Sequence, residues 1–170
     1  MNIKKLVLCA AALCALVAVA AAQMNAARGK AEATIKGKKI TIDYGRPPLG
    51  GHSVSELPVG GVWRLGMNGA THIETTGDLV VAGKEVKAGK YTLWAKKTSA
   101  DSWTLAFHPK TGVWGQPELK EGYIAELPLK TAKAADSAEQ LTITLADNKG
   151  KAGIKIHWGT VALTGSFNVK

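Results

Sequence analysis

The chain has 170 residues, with 22 Lys and Arg against 13 Asp and Glu and a formal charge of +9. Its two cysteines, Cys9 and Cys14, lie close to the N-terminus, so the rest of the chain offers no thiol for a disulfide, a thiolate metal site or a nucleophile. The basic residues are scattered instead of gathered into a stripe with stacking aromatics, so no nucleic-acid partner is expected, and weak attraction to anionic envelope polymers is the sensible consequence of the charge.

The N-terminus reads as a secretory signal: Lys4 and Lys5, an apolar run from Leu6 to Val19, then Ala20-Ala21-Ala22. Cleavage is expected before Gln23, making residues 1–22 a signal peptide and leaving no stable membrane insertion. The Ala-rich run ends in small residues and lacks the basic flank of a stop-transfer anchor, and each cysteine follows a leucine inside the run, away from the lipoprotein position. Cleavage leaves 148 residues with a charge of +7, a suitable size for one domain. Residues 23–30 are expected as a tail and residues 31–170 as a single β domain, periplasmic or secreted.

After Lys30 almost every segment alternates apolar and polar residues, separated by Gly, Asp, Asn or Lys turns. Ala33–Lys36 and Ile40–Tyr44 flank a hairpin turn at Gly37-Lys38. Leu79–Val81 and Glu85-Val86 flank another at Ala82–Lys84, and Ala88–Lys90 leads into Tyr91–Ala95. Trp103–Phe107 points Trp103, Leu105 and Phe107 to one face. Tyr123–Leu129, Leu141–Leu145, Ile154–Trp158 and Val161–Val169 follow, with a turn at Asp147–Gly150, while Thr131–Gln140 reads as one or two helical turns or a loop. The count is about nine to eleven short strands, which predicts an all-β, antiparallel sandwich or jelly-roll-like domain.

Two stretches break the alternation. One runs from Gly45 to Thr71 through Arg46-Pro47-Pro48-Leu49-Gly50-Gly51 and Gly60-Gly61. The other runs from His108 to Pro117 and includes Trp114-Gly115. Loops at one end of a β scaffold commonly carry its binding site, so Arg46, Arg64, Asn68, Thr71, His108 and Trp114 form the candidate ligand-binding set. Guanidinium groups are planar donor forks for carboxylate, sulfate or phosphate; Asn and Thr add neutral contacts. The competing reading makes the arginines internal struts, Arg64 pairing with Asp43 or capping loop carbonyls. Trp103, Phe107, Tyr91 and Trp158 alternate with aliphatics as core residues, whereas Trp94 and Trp114 are candidates for an exposed stacking surface.

The strings Asp43-Tyr44-Gly45-Arg46-Pro47, Val62-Trp63-Arg64-Leu65-Gly66-Met67-Asn68-Gly69-Ala70-Thr71 and Ala88-Gly89-Lys90-Tyr91-Thr92-Leu93 resemble the bacterial secreted family catalogued as domain of unknown function 2911. The resemblance covers nearly the whole chain beyond the signal and implies an exported β-rich domain with no assigned activity.

Catalytic and metal chemistry find little purchase. His52, His72, His108 and His157 have no ligand-like spacing, and His157, beside Lys155, reads as a solvent-facing strand residue; no metal or other cofactor is expected. Gly51-His52-Ser53-Val54-Ser55 only imitates a nucleophile elbow. Asp43, Glu56, Glu74 and Glu126 supply carboxylates for a hydrolase acting on an envelope polymer, with nothing in their spacing to select a pair. The expected role is a non-enzymatic module for a small anionic or saccharide ligand or a protein partner, with hydrolase and purely structural domain as alternatives. The oligomeric state is left open.

Overall fold

The computed structural model describes residues 28–51, 53–115 and 117–170; the expected signal peptide, its cleavage point and His52 lie outside them. Ten strands follow in chain order: β1 (Arg28–Ile35), β2 (Lys38–Gly45), β3 (Val62–Trp63), β4 (Thr71–Thr75), β5 (Leu79–Val81), β6 (Lys84–Val86), β7 (Gly89–Lys97), β8 (Ser102–His108), β9 (Ala125–Asn148) and β10 (Lys151–Val169). All pair antiparallel in one sheet of order β1-β2-β4-β7-β8-β9-β10-β5-β6, with β3 also on β7. The expected all-β sandwich is thus one continuous sheet folded over on itself. Among the described residues no helix is long and apolar enough to cross a membrane.

The period-two pattern explains the fold-over. Ile40, Ile42 and Tyr44 of β2, Leu93 and Ala95 of β7, Trp103, Leu105 and Phe107 of β8, Leu127 and Leu129 of β9, and Ile154 and Ile156 of β10 all enter one core. A sheet this long with one apolar face buries it only against itself. Three hairpins turn on residue pairs with positive φ at both positions, Lys36-Gly37, Ala82-Gly83 and Lys149-Gly150, the backbone that matches the twist of the flanking strands.

Three expectations are corrected. Arg28–Lys30, placed in the tail, already pair with Gly45–Asp43 in β1. Thr131–Gln140 is strand, continuous with the segments on either side in β9. Its alternation is blurred because its register against β10 slips around Gly159, and Glu139–Leu141 pair instead with the chain leaving β2: Leu49 N donates to Glu139 O at 2.7 Å and Leu141 N to Pro47 O at 3.1 Å. His157, read as solvent-facing, is buried at this irregularity, and its Nε2 has no hydrogen-bond partner among the described residues.

A second, smaller apolar cluster lies on the outer face of β7 and β8. Trp94 and Ala106 are sealed there by Val113, Leu119 and Tyr123 of the 109–124 connection. Trp94 is therefore no exposed stacking surface: it is fully buried, and its Nε1 donates to Thr92 Oγ1 at 3.0 Å.

Candidate functional site

β3 and β4 lie along the same edge of β7, Trp63 opposite Ala95 and Thr71 opposite Leu93. Residues 64–70 are the excursion between them. Leu65 (φ 52°) and Asn68 (φ 60°) take left-handed backbone, uncommon for leucine. Leu65 is held there because its side chain is buried and Thr71 Oγ1 donates to its carbonyl at 2.7 Å. Thr71 is itself fully buried, so this expected ligand contact is a support of the loop.

The loop closes down onto β2. A Cβ on Gly45 would stand 2.1 Å from the Met67 carbonyl oxygen, so only glycine admits the approach. From beneath, Arg28 forms an ion pair with Asp43 and donates to the carbonyls of Gly69 (3.3 Å) and Ala70 (3.5 Å). Asp43 is thus committed to Arg28 and not to Arg64, as the strut reading had it. The residue missed was Arg28, hidden in the expected tail; its signal was an acid on β2 needing a cation.

On the other side, Gly115 N donates to Asn68 O at 3.1 Å, Ala70 N to Val113 O at 3.3 Å, and Gly69 bridges to Trp114. The Arg64 side chain lies across Gly115, whose ideal Cβ would be 2.5 Å from Arg64 Cδ. Arg64, Asn68 and Trp114 are therefore brought together, with Trp114 55% exposed. Among the described residues no ion pair or hydrogen bond engages the Arg64 guanidinium.

Arg46 and His108 are placed elsewhere. Arg46 runs past Gly29 and donates from Nε to Leu141 O at 3.4 Å, tying β2 to β9. His108 belongs to the clamp that holds the 109–124 connection: its ring meets Tyr123 edge-on at 5.8 Å and its Nδ1 accepts from Lys110 N at 2.9 Å. Tyr123 donates to Leu119 O, and its phenol is pushed up to about 12 by burial and by the charge of Glu126.

Arg64 stands on the wall of a hollow of about 350 Å³ that also takes in Pro47, Met67 and Glu118. Leu57, Trp63 and Trp158 line it too, and the same three line a neighbouring hollow of about 290 Å³ with Val54, Pro58 and Trp103. The two adjoin along these three side chains and together make up the cleft. Trp63 and Trp158 stack at 5.7 Å and 15°, and Trp103 meets Trp63 edge-on at 6.4 Å. Trp158, at the β10 irregularity, lines the cleft half-buried, and its Nε1 has no hydrogen-bond partner among the described residues.

Of the four carboxylates considered for hydrolysis, Glu56 alone lines the cleft. Asp43 is paired with Arg28, Glu126 with Lys96 at 2.8 Å, and Glu74 is exposed on β4. Among the described residues no three His, Cys, Asp or Glu gather closely enough to hold a metal ion.

No curated protein and no solved structure matches the chain. A family described as a protein of unknown function, DUF2911, matches residues 26–167, from before β1 nearly to the end of β10 and across both loops of the cleft, and the chain belongs to that family.

Proposed function

We propose that the protein is an exported, non-enzymatic binding module of the cell envelope that takes a small anionic ligand at Arg64. One observation carries the reading: a half-buried arginine on the wall of a cleft, its stem against Gly115 and its guanidinium engaged by no described acid or carbonyl. A structural arginine would be expected to resemble Arg28, whose donors are all directed at partners in the fold. The excursion bearing Arg64 is strained and pinned from both sides, which keeps the donor fork in place before a ligand arrives. Asn68 and Trp114 flank it, whereas Arg46 and Thr71 support the scaffold. Export rests on the signal-like N-terminus, and the destination is periplasm or medium.

The exported protein, isolated from an expressing bacterium, is expected to have an intact mass that begins at Gln23. In a thermal-shift screen of carboxylates, sulfates and phosphates, at least one class raises its Tm. Arg64→Ala leaves the unliganded Tm within about 1 °C, since it breaks no internal pair, and abolishes that gain. A large fall in the unliganded Tm of Arg64→Ala would return the residue to the role of strut.

A further inference from the structure

The cleft does not end at the guanidinium. Leu57, Trp63 and Trp158 line both hollows, so a molecule held at Arg64 lies beside the space lined by Val54, Pro58 and Trp103. We propose that the ligand is an amphipathic carboxylate, its charged head on Arg64 and its alkyl or aromatic body in the tryptophan hollow. This rests on the reading of Arg64 as the anion's partner and adds the class of molecule that carries the anion.

Three features select it. The tryptophan hollow is walled by three indoles and three aliphatic side chains, with Ser53 and Glu56 its polar lining residues. A sugar placed there would leave most hydroxyls facing carbon, unpaired and desolvated. An inorganic anion would occupy only the outer part and leave the apolar walls to water. A cation in the indole cage is disfavoured by Lys97, whose Nζ donates to Leu57 O at 2.8 Å and lies 5.9 Å from the Trp103 ring centroid. Lys97 thus stands behind the Trp103 wall, while Glu56 is the ionisable group that lines this hollow itself.

Glu118 shares the outer hollow with Arg64 and weakens its pull on an anion. Charge alone is then a poor basis for affinity, and the body must contribute. This orders the ligands: an apolar anion above an apolar alcohol or amine, and above a bare anion.

The test uses the mature protein with 8-anilinonaphthalene-1-sulfonate as fluorescent probe, competed by octanoate, octanol, octylamine or sulfate. Octanoate is expected to displace the probe, shift tryptophan emission and raise the Tm, with octylamine and sulfate far weaker. Arg64→Ala weakens octanoate about tenfold and leaves octanol unchanged, the loss of one charge-assisted contact. Leu57→Ser, on a loop outside the strands, weakens octanoate and octanol alike and leaves sulfate unchanged. If sulfate stabilises as well as octanoate and Leu57→Ser has no effect, the amphipathic ligand is overturned while the anion site stands. If octanol and octylamine bind as well as octanoate and Arg64→Ala is silent, the anion reading falls with it. Absence of binding by every probe overturns both.

Discussion

Leu65 pays for its backbone with its side chain. A leucine in left-handed conformation costs about 1–3 kcal/mol, and here burial of the isobutyl group and the Thr71 hydroxyl hold it in place. The residues beneath it are equally constrained, Gly45 by the Met67 carbonyl and Asp43 by Arg28. His72 lies in the same neighbourhood, across from Asp43 on β2 and Thr92 on β7. Burial pushes its pKa below 6.5, the charges of Lys90 and Arg28 push it further down, and Asp43 opposes them. The folded state therefore resists protonating His72 while the unfolded chain accepts the proton near 6.5. The resulting stability is present above that pH and is lost as the pH falls toward the folded pKa. Melting curves between pH 7.5 and 5 are expected to show the fall, and His72→Gln to flatten it. Glu32, Asp78 and Glu85, whose carboxyls are held below 4.5 or 3.8 by their lysines and, for Asp78, first by the Ala88 amide, lose their contributions only in more acidic solution. An unchanged slope in His72→Gln would assign the effect to another group.

Among the elements, the 109–124 connection does two jobs with two tryptophans. It seals Trp94 against the outer face of β7 and displays Trp114 beside the Arg64 loop. Trp94→Ala is expected to cost about 3–5 kcal/mol in denaturant unfolding, since it empties a fully buried site. Trp114→Ala is expected to change stability by less than about 0.5 kcal/mol. Comparable losses for the two would mean that the connection does not cover β7 in solution. The pair also marks what the sequence discloses. Strands with one face in the core, such as Trp103–Phe107, are legible because alternation is the direct imprint of half-burial. Trp94 is not, because it occupies the outward phase of β7 and becomes buried only when a connection from later in the chain lies over it. Thr131–Gln140 escapes for the opposite reason: mostly exposed, and slipping against its partner, it carries no apolar period. The candidate site divides likewise. The two irregular stretches that meet around Arg64 stand out as breaks in the pattern, whereas Trp63 and Trp158 are concealed as ordinary strand residues, since alternation says nothing about a wall shared between core and cleft.

For the whole molecule, closure depends on contacts between the chain's distant parts. Arg46 reaches Leu141, Tyr44 donates to Ile143 O at 3.4 Å, and Lys36 Nζ donates to Val169 O at 2.8 Å, across 95, 99 and 133 residues respectively. The end of β10 also pairs with β5 through Asn168 and Val169, and Phe167 meets Phe107 edge-on in the core. A chain ending at Gly165 loses all of the pairing between β10 and β5 and two buried side chains, Phe167 and Val169, so no cooperative melt is expected by circular dichroism. A cooperative transition in that truncation would show that closure is not required. The same arrangement sets a timetable. β5 and β6 are made by about the midpoint of the sequence, yet their route into the sheet runs through β10, the last of the described strands. Until β10 is present β5 and β6 have no place in the sheet, and pairing across so long a stretch of chain is slow. For a chain exported as proposed, the sheet would stay open, and the polypeptide threadable, only for as long as β10 is still unmade or undocked.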